Sequence, residues 1–262
     1  MLKPTRREVS LSFLISLCSL ALPIRARADH DNNILSGPFG RGEVPYEVDF
    51  EGGIYYDVWY DEYKALRRSQ NTYGGCELFL TPKNHTMFNQ SSIIVRDTEP
   101  SLTRLTDRIV AGLSTQEQKA QELFDFVTTA IRFESIDHPK KPHEILIDRK
   151  GDCTEKSTLL ASLLEQVDIP YCLLYFNPEL SEIGHANVGI PGNFSGRSCT
   201  MFEYQGVTYT IVEIAIPGSI GSSTIPMNLL ELATTRNISY IQLPGEQIVD
   251  FKTEQPLDCY NP

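Results

Sequence analysis

The sequence predicts an α+β fold, with helices in the first part of the main domain and antiparallel strands in the second. Apolar residues recur at helical spacing between Ser101 and Val167, and from Tyr171 onward short strand-like runs replace them. The motif Gly151-Asp152-Cys153 opens the last of these helices and places a thiol in its first turn. A chain of 262 residues, 41% of them hydrophobic, is large enough for one sizeable core and an extension.

The first 28 residues have the pattern of an export signal rather than of a folded segment. Lys3, Arg6 and Arg7 precede an apolar run, residues 9–22, that is too short to span a bilayer comfortably. Residues 26–28, Ala-Arg-Ala, supply small side chains for cleavage. The arginine pair also fits a twin-arginine signal, and an ordinary secretory signal is the alternative. We therefore expect an exported protein, periplasmic or extracellular, without stable membrane insertion.

Composition divides the remaining chain into three parts. Residues 29–100 are rich in Gly, Asn, Tyr and acidic residues, and we expect an irregular, partly β extension there. The strongest periodicity lies in residues 101–221, which we expect to form the main domain. Residues 222–262 are expected to pack on that domain as a C-terminal segment.

Three helices are predicted before the strands, over about 102–112, 114–132 and 153–167. Ser114 and Glu117 have capping-box spacing at the start of the second helix. Residues 135–150 carry two prolines and many charges, so they are predicted to form a loop. Leucines lie on one side of the third helix, which should be its buried side.

Four strands are predicted after the helices, over 171–176, 185–190, 199–204 and 207–216. Gln205-Gly206 joins the last two as a tight hairpin turn. Alternation along the second strand places His185, Asn187 and Gly189 on one face. Because these side chains are polar or small, we expect that face to leave room for a substrate.

Cys153 has the surroundings of a reactive thiol. Gly151 allows a sharp turn, and Asp152 can cap the helix together with Glu155 in a capping box. A cysteine in the first helical turn faces free N–H groups and the positive end of the helix dipole, both of which stabilise a thiolate. A structural cysteine that happens to begin a helix is the alternative.

The number of cysteines supports a free thiol. Five remain after residue 28, an odd number in a compartment that favours disulfides. Four of them could form two bridges in three ways: Cys76, Cys172, Cys199 and Cys259. Cys172 lies in an apolar strand, and a plain buried thiol is the alternative for it.

His185 and Glu213 are the expected partners of Cys153. A thiol needs a base that takes its proton and later returns it, and His185 opens a strand after a flexible segment. Glu213 lies in a strand that is apolar on both faces, where a carboxylate is costly unless it has a partner such as the imidazole. Asn187 is the alternative residue for orienting the ring.

The other histidines are weaker candidates. His138 and His143 flank the proline-rich loop and are expected to be exposed. With Asp137 and Glu144 nearby they could bind a metal, but their spacing is specific for no metal site, and we expect none.

These residues resemble the transglutaminase-like superfamily. The resemblance covers residues 101–221 and rests on 151–160, Leu163-Leu164, 168–170 and His185-Ala186. It implies a papain-like core in which a cysteine opens a helix packed on an antiparallel sheet that presents a histidine and an acid. Position by position it assigns Cys153 as nucleophile, His185 as base and Glu213 as acid. Asn187 stands where the family usually has an aromatic residue, and Glu213 where it usually has aspartate.

The expected function is an exported thiol enzyme that acts on peptide, isopeptide or glutamine-amide bonds, with hydrolysis slightly favoured over cross-linking. The N–H of Cys153 would help to bind the oxyanion, with Asp152 and Asn187 as further substrate-side candidates. The mechanism needs no cofactor, and a net charge of −11 argues against a nucleic-acid partner. The alternative is a non-catalytic binding module that retains the fold.

Overall fold

A computed structural model describes the following residues of the chain: 45–50, 54–59, 78–80, 86–96, 99–135, 139–176, 185–192, 194, 201–215, 217, 220, 238–254 and 258–259. The predicted export signal, residues 1–28, lies outside these ranges. No helix within them is long and apolar enough to cross a membrane. The predicted boundaries near residues 28, 100 and 221 stay predictions.

A six-stranded antiparallel sheet forms the centre of the domain. Its strands are β7 (Cys172–Phe176), β8 (His185–Pro191), β9 (Met201–Tyr204), β10 (Val207–Val212), β11 (Ile238–Gln242) and β12 (Val249–Asp250). Their order is β12-β11-β7-β8-β10-β9, and every pairing is antiparallel. Four of the strands were predicted, and β11 and β12 are added from residues after 222.

Among the described residues, four α-helices precede this sheet: α1 (Pro100–Ile109), α2 (Gln116–Ala130), α3 (Pro142–Asp148) and α4 (Cys153–Glu165). The capping box of α2 uses Thr115 and Gln118, one residue beyond the predicted pair, because Thr115 supplies the extended N-cap. Helix α3 replaces part of the predicted loop, since Pro142 fits the first turn of a helix. Helices followed by antiparallel strands confirm the α+β class.

The other described strands form three smaller sheets. Strands β1 (Pro45–Phe50) and β2 (Ile54–Trp59) pair antiparallel with each other. Strands β3 (Leu78–Leu80), β4 (Thr86–Phe88) and β13 (Asp258–Cys259) form an antiparallel sheet of three. Strands β5 (Arg132–Phe133) and β6 (Lys150–Gly151) are parallel and hold the segment that leads into α4.

The two faces of the central sheet pack against different cores. Val188 and Ile190 of β8 belong to the larger core, which contains the leucines of α4. Gly189 faces the other core, where an added Cβ would lie 2.6 Å from Cys172 Sγ and 3.2 Å from Phe202 Cζ. The expectation that this face of β8 leaves room for a substrate is therefore wrong at Gly189, because protein side chains fill the space.

Candidate active site

Cys153 is the first residue of α4 and is half-buried, with a free thiol. The predicted capping box is confirmed: the N–H of Thr154 donates to Asp152 Oδ1 at 2.8 Å, and the N–H of Asp152 donates to Glu155 Oε2 at 3.1 Å. The carbonyl of Asp152 accepts from Lys156 N–H at 3.0 Å. The N–H of Cys153 is not among these capping bonds, and its role in binding an oxyanion stays a prediction.

The turn before the thiol explains Gly151. An added Cβ at this position would lie 2.6 Å from Glu155 Cβ, so any larger residue would displace the cap. Parallel pairing with β5 fixes the same turn, since Glu134 N–H donates to the Gly151 carbonyl at 3.1 Å. The start of α4 is thus fixed by the capping box and by the pairing of β5 with β6.

Glu155 is almost fully buried below the thiol. Burial, together with the hydrogen bond to the Asp152 side chain, raises the pKa of Glu155 to about 8. A protonated Glu155 at neutral pH keeps one negative charge away from the first turn of α4.

His185 opens β8 and forms a close pair with Glu213, the residue after β10. Its Nε2 lies 2.9 Å from Glu213 Oε2, and both side chains are at most 9% exposed. The ring of Phe176 packs beside the imidazole, with centroids 5.5 Å apart. These contacts fix the ring and leave Nδ1 for another partner.

The thiol of Cys153 is the other side chain that acts on this imidazole. Burial alone lowers the pKa of His185, but the charge of Glu213 and the interactions with the Cys153 and Glu213 side chains raise it well above its usual value. The site therefore stabilises an imidazolium beside a thiol and a carboxylate.

Glu213 is itself held by three groups. Its Oε2 accepts from the imidazole and from Asn187 Nδ2 at 3.1 Å, and its Oε1 accepts from Ala215 N–H at 3.0 Å. Asn187 Oδ1 in turn accepts from Ile214 N–H at 3.2 Å. Burial raises the pKa of Glu213, but the charge of His185 and these hydrogen bonds bring it below its usual value. The carboxylate is therefore ionised and oriented.

Part of the chain matches a known protein family. Residues 103–178 match the family model described as the transglutaminase-like superfamily. This stretch of the chain is transglutaminase-like. The match includes Cys153 but ends before His185 and Glu213, so the pairing of those two residues is known from the geometry and not from the family match.

Two solved structures are similar to this chain. LapG of Legionella pneumophila, in an EGTA-treated form, is 13% identical with a TM-score of 0.39, covering 60% of this chain and 89% of that one. A candidate cysteine protease from Cytophaga hutchinsonii is 12% identical with a TM-score of 0.34, covering 84% of this chain and 79% of that one. No curated protein matches the chain.

The remaining predicted site residues lie in different surroundings. Asn187 is fully buried and both ends of its amide are engaged, so it orients Glu213 instead of facing a substrate. Asp152 is the helix cap and is half-buried. The catalytic roles of Cys153, His185 and Glu213 stay predictions.

The alternative metal site gains no support from the described residues. His143 is 2% exposed, so the expectation of an exposed loop histidine is wrong, because α3 carries it into the core. His138 lies outside the described residues. Within the described part of the chain, no three His, Cys, Asp or Glu side chains are grouped to hold a metal ion.

One of the four cysteines that could form disulfides is a free thiol. Cys172 is a buried free thiol, which agrees with the alternative stated for it and removes it from any bridge. Cys76 and Cys199 lie outside the described residues, as does the side chain of Cys259.

Two side chains contribute to the site in ways that the sequence patterns did not predict. One is the protonated Glu155, which looked only like a helix cap. The other is Ser157, whose hydroxyl reaches the strand of His185. Its position one helical turn after Cys153, on the buried side of an apolar helix, was the available signal.

Proposed function

We propose that this chain is an exported cysteine hydrolase that acts on peptide, isopeptide or glutamine-amide bonds of a protein or peptide. Cys153 is the nucleophile, His185 the general base and acid, and Glu213 the residue that orients and charges the imidazole. The observation that carries the proposal is the buried His185–Glu213 pair, with 2.9 Å between Nε2 and Oε2, whose imidazole also interacts with the free thiol of Cys153 at the start of α4.

In the proposed reaction, the Cys153 thiolate attacks the carbonyl carbon and forms a C–S bond. The oxyanion that develops is stabilised by the N–H of Cys153 at the start of α4. The imidazolium of His185 gives its proton to the leaving nitrogen, the C–N bond breaks, and an amine or ammonia departs.

The acyl-enzyme is then resolved by a second nucleophile. His185, now neutral, removes a proton from water, which attacks the thioester and releases the acid together with the Cys153 thiol. A primary amine in place of water would give a cross-linked product. We favour water, and the choice is open to direct measurement.

Selective alkylation tests the nucleophile. Brief iodoacetamide treatment at about pH 5.5, followed by peptide mass spectrometry, should label Cys153 far faster than the buried free thiol of Cys172. A Cys153→Ala variant should lose the label and all turnover. Slow labelling of Cys153 in the native protein would favour the non-catalytic binding module instead.

A second measurement separates hydrolysis from transfer. A glutamine-containing protein substrate is incubated with the enzyme and a fluorescent primary amine, and the products are analysed by mass spectrometry. Cleaved or deamidated peptides without amine incorporation support a hydrolase. Dominant amine incorporation would overturn the preference for water while leaving the nucleophile assignment in place.

A further inference from the structure

Ser157 connects the helix of the nucleophile to the strand of the base. It lies one helical turn after Cys153 in α4 and is fully buried. Its Oγ donates to the carbonyl of Ala186 at 3.2 Å. Because Ala186 directly follows His185, one hydrogen bond joins the backbone beside the imidazole to the helix that carries the thiol.

This use of the hydroxyl differs from that of its neighbours in the same helix. Thr158 Oγ1 donates back to the Thr154 carbonyl at 2.9 Å, and Ser162 Oγ donates back to the Thr158 carbonyl at 2.9 Å. Such a bond to the carbonyl four residues earlier is the common arrangement for a hydroxyl within a helix. The Ser157 hydroxyl instead leaves the helix and reaches the sheet.

The strand end that carries His185 needs such a contact. Strand β10 pairs with β8 only from Val188 onward, opposite Val212. Residues 185–187 pair with β7 on one side, and within the described residues no strand pairs with them on the other. The position of His185 relative to α4 therefore depends on contacts outside the sheet ladder, and the Ser157 bond is such a contact made from within α4.

We propose that Ser157 is a positioning residue that sets the separation between the Cys153 thiol and the His185 imidazole. The inference rests on the proposed catalytic pair, because only a paired thiol and imidazole require a fixed separation. Small displacements of reacting groups carry large costs in rate, so one buried hydrogen bond at this place matters for reactivity.

The test compares Ser157→Ala with Thr158→Val, which removes a hydroxyl from an equally buried neighbour. The rate of iodoacetamide alkylation of Cys153 is measured from about pH 5 to about pH 9.5. We expect Ser157→Ala to slow alkylation by about three- to tenfold at the acid end, the equivalent of one lost hydrogen bond, and to leave the alkaline end unchanged. Thr158→Val should follow the native profile throughout.

Two further variants keep the test decisive if Ser157→Ala unfolds. Ser157→Thr and Ser157→Val add the same bulk and differ in the hydroxyl, so only the threonine variant should retain the native acid-side rate. Equal profiles for this pair, or a native profile for a folded Ser157→Ala, would overturn the positioning role while Cys153 stays the nucleophile. Slow acid-side alkylation in the native protein would instead overturn the proposed function, and this inference with it.

Discussion

Two buried histidines of this molecule each lie beside a glutamate, but one ring is positively charged and the other is neutral. His185 Nε2 is 2.9 Å from Glu213 Oε2, whereas His143 Nε2 is 3.9 Å from Glu99 Oε2. The pKa of His185 is raised well above its usual value. Burial lowers the pKa of His143 to about 4, against the attraction of Glu99. One histidine is therefore an imidazolium and the other a neutral core residue.

The closer charge of the carboxylate and its direct hydrogen bond to the ring together explain the difference. The Glu213 carboxylate accepts directly from the imidazole of His185. The Glu99 carboxylate is instead engaged by the hydroxyl of Ser101 at 2.6 Å and the N–H of Leu102 at 2.7 Å, as the cap of α1. An uncompensated imidazolium at His143 would be costly to bury, so the ring stays neutral.

His143 has a structural task that suits a neutral ring. Its Nδ1 forms a hydrogen bond with the hydroxyl of Tyr56, which lies in β2 and is also 3.3 Å from Ser101 Oγ. The cluster thereby connects the β1–β2 pair to helices α1 and α3. The same two residue types thus form a charged pair in one place and a neutral packing contact in the other, according to which group the carboxylate contacts.

The largest expected difference comes from the same substitution at both histidines. His185→Gln should reduce acid-side alkylation of Cys153 and turnover by about 10²- to 10⁴-fold, the usual contribution of a general acid–base group. His143→Gln should keep both within about twofold, because it lies outside the site. Rates measured on variants shown to be folded by circular dichroism provide the check. Equal losses at both positions would remove the distinction between the two histidines.

An intermediate effect is expected when the carboxylate of the reactive pair loses its charge. Glu213→Gln removes the attraction that raises the pKa of His185 while its burial remains, so that pKa should fall. His185 loses its proton when the pH rises through this pKa. Alkylation of Cys153 that depends on the imidazolium should therefore end at a lower pH in the variant than in the native protein. Titration of the His185 ring by NMR, with acid-side alkylation lowered about tenfold or more, tests this. An unchanged midpoint would show that Glu213 does not charge the ring.

The smallest expected effect concerns acid stability and depends on His143. A folded-state pKa of about 4 against 6.5 in the unfolded chain means that the unfolded state binds the proton first as the pH falls. Stability should therefore decrease by about 2 kcal/mol between about pH 7.5 and about pH 5 through this residue alone.

Urea unfolding of the native protein and of His143→Gln at both pH values measures this contribution. The variant should lack that part of the acid sensitivity. His185 acts in the opposite direction: with its pKa raised, its contribution is present below about pH 6.5 and is lost as the pH rises through its folded-state value. A variant as acid-sensitive as the native protein would mean that His143 is not buried in neutral form.

Local sequence patterns predicted the parts of the fold that depend on near neighbours. The cap formed by Asp152 and Glu155 follows from residues three apart, and both are found in their expected places. The order of helices and strands follows from apolar spacing. The loop predicted over 135–150 failed at α3, because a short helix beginning with proline has too few turns to show a periodic pattern.

Long-range packing decided the rest. The sequence by itself determined that Cys153 begins a capped helix and that His185 begins a strand, because helix caps and strand alternation are local properties. Tertiary structure alone decided which histidine meets an ionised carboxylate, that Gly189 is covered by Phe202, and that Ser157 reaches Ala186. These contacts join residues far apart in the chain, and their distances follow from how α4 packs on β8, which no local pattern encodes.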